Sequence, residues 1–167
     1  GRRTARPSML SQLGLSVLAF APPSDNVPLD LVMLTDAQSS AKGAVCLDGT
    51  NPGFYWTKGD GDGAKTWVLY FKGGGWCYDE EDCAQRAKTS LGSSKYFTKT
   101  FAFSGIMDSQ AEINPTFHNA NRVVLWYCDG ASFSGNADAI SNKTGTPLHF
   151  RGRRVLDAIL DTLMAEH

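Results

Sequence analysis

Three consecutive glycines, Gly73 to Gly75, followed by Trp76 and Cys77, form the run with the clearest chemical meaning. Glycine has no Cβ, so a turn built from it leaves backbone N–H groups open to a ligand. A phosphate-binding loop would need Gly-x-x-x-x-Gly-Lys-Ser/Thr, and a dinucleotide site would need Gly-x-Gly-x-x-Gly running into a helix. Neither pattern is present, which leaves an oxyanion-binding loop or a plain tight turn.

An oxyanion-binding loop serves a nucleophile, which in α/β hydrolases is a serine in Gly-x-Ser-x-Gly between a strand and a helix. Ser132 and Ser134 are the nearest candidates, in the sequence Gly-Ala-Ser-Phe-Ser-Gly of residues 130–135. Neither serine has glycines at the required spacing, and no predicted helix follows at once. We interpret both as members of a polar loop that lines a cleft, not as nucleophiles.

Cysteines and histidines decide between metal binding and disulfide formation. The cysteines are Cys46, Cys77, Cys83 and Cys128, and the histidines are His118, His149 and His167. A zinc site needs close pairs of ligands, and only Cys77 and Cys83 are close in sequence. Disulfides are therefore favoured, in any of three pairings, and no metal or cofactor is predicted. Each histidine is interpreted as structural or exposed rather than catalytic.

Composition and charge exclude several classes of partner. The chain has 167 residues, of which 42% are hydrophobic and 20% charged, with a formal net charge of -1. This composition is ordinary for one globular core. Near-zero net charge without a long basic run argues against nucleic acid or acidic lipid as a partner. Asn142 begins an Asn-Lys-Thr triplet, which weakly indicates glycosylation.

Residues 1–28 are predicted to be a signal-like leader and linker, and residues 29–167 the folded part. The apolar run at 9–21 follows Arg2, Arg3 and Arg6 and ends in Ala-Phe-Ala, as a secretory signal does. Pro22 is unfavourable for cleavage, so a disordered or amphipathic leader is the alternative. The run is too short to span a bilayer. Secretion would place the cysteines in an oxidising compartment.

Strand and helix patterns alternate along the folded part. Strand-like runs lie at 31–34, 54–56, 66–71 and 122–128, and helical patterns lie at 80–90 and 150–164. Residues 45–47 are predicted to lead into a turn at Asp48 and Gly49. From residue 66 the order is strand, glycine loop, helix, strand, helix, which predicts an α/β fold with parallel strands. A helix that closes such a pattern should lead into a further strand.

Three segments carry more specific predictions. The run 66–71 has no polar alternation after its first residue, which is typical of a central buried strand. The Gly/Asp-rich segment 58–63 is predicted to be a hairpin turn, because an EF-hand calcium loop needs a longer frame closed by glutamate. Residues 131–147 are small and polar and are predicted to be a loop.

Several separate motifs, in order, resemble the plant pectin acetylesterases and, more distantly, the animal carboxylesterase Notum. They lie at residues 41–56, 71–83, 91–97, 103–123, 127–136 and 148–163. The resemblance covers about residues 29–164. It implies the N-terminal portion of an α/β-hydrolase fold with an incomplete central sheet. It also implies a secreted, cell-wall carboxylic ester hydrolase that deacetylates pectin-like polysaccharide by a Ser-His-Asp mechanism, or a Notum-like deacylase of lipid esters.

The resemblance assigns roles to particular residues. Backbone N–H groups of Gly74, Gly75 and Trp76 would form the oxyanion hole. The family places its nucleophile after the strand that follows the helix at 150–164, so the chain is expected to end before it and to be inactive alone. Lys72 stands where the family usually has glutamate. The disulfides implied are Cys77–Cys83 and Cys46–Cys128.

A truncated, non-catalytic relative that binds glycan or protein is the alternative function. Its sugar-stacking residues would be Tyr55, Trp56 and Trp76, which are expected to be exposed aromatics. An incomplete sheet should also leave an apolar edge uncovered, with poor solubility as a consequence. The oligomeric state is not predicted.

Overall fold

The structure, a computed structural model, describes residues 26–140, 145 and 147–166, without the side chains of residues 138–140. The predicted leader and the glycosylation triplet at Asn142 therefore lie outside the described residues. Among the helices of the described part, none combines the length and apolar character that a bilayer span requires.

The fold is mixed α/β, as predicted. The strands are β1 Leu29–Met33, β2 Gly53–Thr57, β3 Trp67–Phe71, β4 Thr100–Phe101, β5 Asn121–Leu125, β6 Ala137–Ile140 and β7 Pro147–Phe150. The helices are α1 Asp36–Lys42, α2 Glu80–Arg86 and α3 Gly152–Glu166. The first five strands form one sheet in the order β3–β5–β2–β1–β4, and β6 pairs with β7 in a second sheet.

Parallel pairing occurs between β3 and β5, in a register that runs from Trp67 opposite Asn121 to Phe71 opposite Leu125. The other strand pairs are antiparallel. The parallel pair confirms the predicted α/β order from residue 66 onward. Both strands consequently end at the same edge of the sheet, and that edge carries the glycine loop.

β5 lies inside the sheet, between β3 and β2, and all of its residues are buried. Successive strand residues face opposite sides of a sheet, so β5 contributes to two cores. Val123 and Leu125 pack with Val155 and Ile159 of α3 on one side. Val124 packs on the other side with a separate cluster, whose further members are Leu29, Tyr55, Met107 and Trp126. The helical pattern predicted at 150–164 corresponds to α3, and the buried face of this helix makes the first of these contacts.

The Gly/Asp-rich segment 58–63 is not a hairpin turn, so that prediction is wrong. β2 and β3 are not neighbours, because β5 lies between them. The segment instead leads into a short 3₁₀ turn, Gly61–Lys65, that packs on the chain entering β5. A Cβ on Gly63 would lie 2.4 Å from the carbonyl oxygen of Asn119. Glycine is required here for close backbone contact rather than for a hairpin.

One element was not predicted and one predicted loop is wrong. The helix α1 was not predicted, although Thr35 and Gln38 form a capping box at its start. The predicted loop at 131–147 contains β6 and the first residue of β7. Each of these strands has only four residues, which is too short for alternation to distinguish a strand from the surrounding small and polar residues.

β3 is not a central strand of the described sheet but lies at its edge. Its residues Leu69, Tyr70 and Phe71 are 37%, 41% and 50% exposed. The prediction of a buried strand is therefore wrong for the described residues. The apolar edge expected of an incomplete sheet is present.

Both disulfides implied by the resemblance are present. Cys46–Cys128 closes a separation of 82 residues and ties the segment after α1 to the chain leaving β5. Cys77–Cys83 closes a separation of 6 residues between the glycine loop and α2. Beside the first bridge, the Leu47 N–H donates to the Cys128 carbonyl at 2.8 Å. The two bridges therefore fix the glycine loop and the end of β5 independently.

The two disulfides should differ in their contribution to stability. Loop-closure entropy predicts about 4.5 kcal/mol for the longer loop and about 2 kcal/mol for the shorter. We expect the Cys46→Ala/Cys128→Ala double variant to lose more free energy of unfolding than Cys77→Ala/Cys83→Ala. Denaturant titration of both variants and the parent chain measures this. Equal losses would contradict the entropic explanation.

Candidate active site

The glycine loop and the loop that leaves β5 meet at the shared end of β3 and β5. The Cys77 N–H donates to the Gly130 carbonyl at 3.1 Å, which joins the two loops directly. Between them lies an open cleft of about 400 Å³, lined by Trp76, Ser132 and Ser134 among others. The structure thus brings the predicted oxyanion loop and the predicted polar serine loop together.

Two carbonyl groups of the glycine loop are held from behind. Arg86 Nη1 donates to the Gly74 carbonyl at 2.9 Å, and the Tyr127 hydroxyl donates to the Gly75 carbonyl at 2.6 Å. In a trans peptide the C=O and the following N–H point in opposite directions. The N–H groups of Gly75 and Trp76 consequently point away from Arg86 and Tyr127, and the residues that carry them are exposed.

Burial and electrostatics keep the Tyr127 hydroxyl a donor. Burial raises the pKa of Tyr127, and the nearby Asp129 carboxylate raises it further, while Arg86 acts in the opposite direction. The phenol is therefore protonated at neutral pH and available to the Gly75 carbonyl. The Arg86 guanidinium lies 5.7 Å from the centre of the Tyr127 ring, so the two donors also support each other.

Glycine is required at two positions of the loop. Gly75 has φ of +71°, a left-handed conformation that residues with a Cβ rarely adopt. A Cβ on Gly74 would lie 2.8 Å from both the Leu91 side chain and the Tyr127 ring. Gly74 is therefore needed for close packing and Gly75 for the backbone turn, so the loop is more than a flexible connection.

α2 positions the donor Arg86. The helix begins at Asp79, whose carboxylate caps the Asp82 N–H at 2.8 Å, and its three acidic residues in the first turn suit the helix dipole. The Cys77–Cys83 disulfide attaches this helix to the glycine loop. Arg86, in the last turn, then reaches back to Gly74. The helix ends at Arg86 rather than at residue 90 as predicted.

The loop that leaves β5 is held by Asp129. This residue is 1% exposed, and its Oδ2 accepts from the Phe133 N–H at 3.0 Å. Its Oδ1 is buried without a hydrogen-bond partner among the described residues. Ser132 and Phe133 have φ of +51° and +62°, so two successive non-glycine residues are left-handed. Such backbone conformations persist only where surrounding contacts impose them, and Asp129 supplies one of those contacts.

α3 approaches this carboxylate closely. A Cβ on Gly152, the first residue of the helix, would lie 1.9 Å from Asp129 Oδ2. The positive end of the helix dipole favours a carboxylate at that position. Burial nevertheless raises the pKa of Asp129, although the Phe133 N–H and Arg86 favour its charged form.

The two serines have structural partners, in agreement with their interpretation as a polar loop. Ser132 Oγ accepts from the Trp76 indole N–H at 2.9 Å, and Ser134 Oγ donates to the Ala131 carbonyl at 2.5 Å. His118 lies in a different cleft, beside Arg122. His149 lies against Gly49, where a Cβ would be 3.3 Å from its Nε2.

Sequence reasoning missed Arg86, Tyr127 and Asp129 as parts of this site. Arg86 and Tyr127 act on backbone groups 12 and 52 residues away, and Asp129 acts within its own loop, and no spacing pattern marks such contacts. Lys72, the departure from the family pattern, places its ammonium 4.8 Å from the centre of the Trp126 ring rather than at the N–H groups. Histidine 167 lies outside the described residues. Across the described part, no group of three or more His, Cys, Asp or Glu is arranged to hold a metal ion.

The family profile of the pectinacetylesterases matches residues 23–167. The chain belongs to the pectinacetylesterase family. Pectin acetylesterase 7 of Arabidopsis thaliana is 47% identical over 136 residues, which are 81% of this chain and 34% of that protein. Pectin acetylesterase 5 of the same plant is 43% identical over 87% of this chain and 37% of its own length. The chain thus spans about a third of the length of these relatives.

Notum proteins are more distant members of the same group of relatives. The human palmitoleoyl-protein carboxylesterase NOTUM is 32% identical over 72% of this chain and 24% of its own length. The crystal structure of the Wnt deacylase Notum from Drosophila superposes with a TM-score of 0.71 at 27% identity, covering 83% of this chain and 39% of that one. The α/β-hydrolase fold implied by the sequence is therefore confirmed, for part of that fold.

The buried carboxylate of Asp129 should make stability depend on pH. Burial holds the folded-state pKa of Asp129 above the ordinary value of 3.8. The fold therefore loses stability as pH rises from 3.8 through that raised pKa, because the buried carboxyl group has to ionise. Asparagine keeps an acceptor for the Phe133 N–H and cannot ionise. We expect Asp129→Asn to gain stability relative to the parent chain between acidic and neutral pH, measured by urea titration at several pH values.

Asp30, which is exposed on β1, provides the matched control. An Asp30→Asn variant loses the same formal charge but removes no buried ionisable group. An identical pH dependence in both variants would show that the effect comes from net charge and not from the Asp129 environment.

Proposed function

We propose that the chain is the oxyanion-binding part of a carboxylic ester hydrolase, and that the protein to which it belongs removes acetyl groups from pectin-like cell-wall polysaccharide. Membership of the pectinacetylesterase family supports the reaction class. The printed names of the plant relatives support the substrate. The mechanism we propose is attack by a serine that is activated by histidine and aspartate.

One observation carries the role of this chain. Arg86 and Tyr127 hold the carbonyl groups of Gly74 and Gly75, so the N–H groups of Gly75 and Trp76 point away from these two side chains before any substrate arrives, and Trp76 lines the cleft. The Gly74 N–H is not oriented by these two hydrogen bonds. We therefore assign the donor role to Gly75 and Trp76 and a packing role to Gly74. Preorganised donors of this kind stabilise the negative oxygen of a tetrahedral intermediate.

The nucleophile, acid and base are proposed to lie outside the 167 residues. Ser132 already accepts from Trp76, and Ser134 donates to a carbonyl within its own turn. A nucleophilic serine instead needs a general base in hydrogen-bond reach. The uncovered edge of β3, next to the glycine loop, is where a strand that carries such a serine would pair.

Secretion to the cell wall is proposed on the basis of the cysteines. All four are paired in disulfides, which form and persist in oxidising compartments. The signal-like run at 9–21 agrees with this but lies outside the described residues.

Glycan binding without catalysis is the second candidate, and exposed aromatics favour it. Trp76 and Tyr78 are 69% and 85% exposed beside the cleft. The other proposed stacking residues do not support it: Tyr55 is fully buried and donates to the Thr98 carbonyl at 2.8 Å, so its predicted exposure is wrong. Trp56 is half-buried and stacks on Trp67 with centroids 5.9 Å apart.

The two candidates differ in turnover. We expect the longest open reading frame that contains this chain to release acetate from acetylated pectin, and the 167-residue chain alone to release none. Acetate release and p-nitrophenyl acetate hydrolysis measure this. Turnover by the short chain that survives Ser132→Ala and Ser134→Ala would contradict the proposed absence of the nucleophile. No turnover by either protein, with pectin binding intact, would favour the binding candidate.

The donor role of Trp76 is tested by two variants of the longer protein. Trp76→Ala removes the ring but keeps the backbone N–H, whereas Trp76→Pro removes both. Loss of one oxyanion donor lowers kcat by about 10²–10³-fold, so we expect a difference of that size between the variants. Equal kcat values in two folded variants would assign the effect to the ring alone.

A further inference from the structure

A second cleft lies at the opposite end of the β3–β5 pair from the glycine loop. It has a volume of about 350 Å³ and is lined by Lys58, Asp60, Gln110, His118 and Arg122 among others. Arg122 is near the start of β5, while the glycine loop follows the end of β3, with which β5 is parallel. The length of the strands therefore separates this cleft, here called the Arg122 cleft, from the candidate active site.

Arg122 is a buried cation that forms no ion pair with a carboxylate in the part of the chain that the structure describes. Arg122 is 4% exposed, and its Nη1 donates to the Met107 carbonyl at 2.8 Å. Its Nε has no hydrogen-bond partner among the described residues. A buried charge that is not paired is costly, so such a guanidinium indicates a missing anionic partner.

The acidic groups nearest to Arg122 do not complete its pairing. Burial lowers the pKa of Arg122, and the charges of Asp108 and Asp60 offset only part of that effect. Asp108 Oδ1 is already engaged by the backbone N–H of Gln110 at 2.9 Å. Within the described residues, no carboxylate forms an ion pair with this guanidinium.

A second unpaired group lines the same cleft. His118 Nδ1 is buried and has no partner among the described residues. Lys58, exposed at the rim, adds a further positive charge. Two cations and an imidazole thus surround one cavity, and a planar guanidinium suits a carboxylate because it can donate two parallel hydrogen bonds.

The acidic residue at the rim narrows the choice of ligand. Asp60 is exposed and would repel a small dianion such as phosphate or sulfate, but it accepts hydrogen bonds from neutral hydroxyls. Gln110 offers a neutral amide beside it. A ligand with one carboxylate and several hydroxyls satisfies both the cations and Asp60, and a cleft of this size falls within the range of small-molecule sites.

We propose that the Arg122 cleft binds the carboxylate of a uronic acid residue of a polysaccharide, with the carboxylate on Arg122 and Lys58 and ring hydroxyls toward Asp60 and Gln110. The proposal rests on the pectin-like substrate of the proposed function and adds a second contact with the chain of sugars. This contact lies away from the reacting ester, so it would retain acidic polymer without taking part in the chemistry.

Calorimetric titration of the longest open reading frame with trigalacturonate tests the proposal, with neutral galactotriose and sodium sulfate as the comparison ligands. We expect binding of trigalacturonate that exceeds both others. Lys58→Met should weaken it several-fold and Arg122→Gln by roughly tenfold, because each removes a charge-assisted hydrogen bond. Arg153→Gln is the control, because Arg153 is an exposed arginine on α3 paired with Asp157 at 3.0 Å.

Four results would overturn the proposal: no binding, equal binding of the neutral sugar, equal or tighter binding of sulfate, or weakening by Trp76→Ala but not by Lys58→Met. If Arg122→Gln does not fold, Lys58→Met decides, since its side chain is exposed at the rim. Acetate release separates this proposal from the proposed function. Uronate binding without ester hydrolysis would refute only the latter, and hydrolysis with uronate binding unchanged in Lys58→Met would refute only the former.

Discussion

In parallel register, β3 and β5 end side by side, and the two loops that form the cleft leave the sheet at that point. Tyr127 lies just beyond β5 and reaches the Gly75 carbonyl because the glycine loop has just left β3. Side chains alternate between the two faces of a strand, so a slip of one residue in this pairing would turn Tyr127 away. The arrangement of the candidate active site therefore depends on one strand register.

The direction of two peptide planes follows from that register. Arg86 comes from α2 and Tyr127 from the chain after β5, yet both donate to consecutive carbonyls of the same loop. The disulfide Cys77–Cys83 holds α2 close enough for the first contact. The orienting groups are thus supplied by elements that are themselves anchored, which would lower the reorganisation that the proposed oxyanion-binding role requires.

The loop that leaves β5 also has features that cost free energy of folding. Asp129 is buried, one of its oxygens has no hydrogen-bond partner among residues 26–140, 145 and 147–166, and the loop it holds contains two left-handed non-glycine residues. Backbone strain of this kind is common at functional sites, where surrounding contacts sustain it. Here the result is a Ser132 hydroxyl placed to accept from the Trp76 indole, which joins the two loops across the cleft.

Local patterns predicted much of the fold. The apolar runs of β3 and β5, the helical pattern of α3 and the glycine loop were recognisable because each depends on neighbours within a few residues. The family resemblance added the disulfide pairing. The segment 58–63 was misassigned as a hairpin because nothing local shows that β5 enters the sheet between β2 and β3. Tyr55 was expected to be exposed because an aromatic residue in a strand does not reveal which face is covered.

The sequence by itself determined which segment has backbone N–H groups open to a ligand, since the absence of a Cβ is a property of the glycine residues. Only the tertiary structure decided where those groups point. Their direction depends on Arg86 and Tyr127, which are separated from the loop by 12 and 52 residues. The same holds for Arg122, whose charge is evident in sequence but whose burial, away from any carboxylate partner within the described chain, is decided by residues distant in the chain.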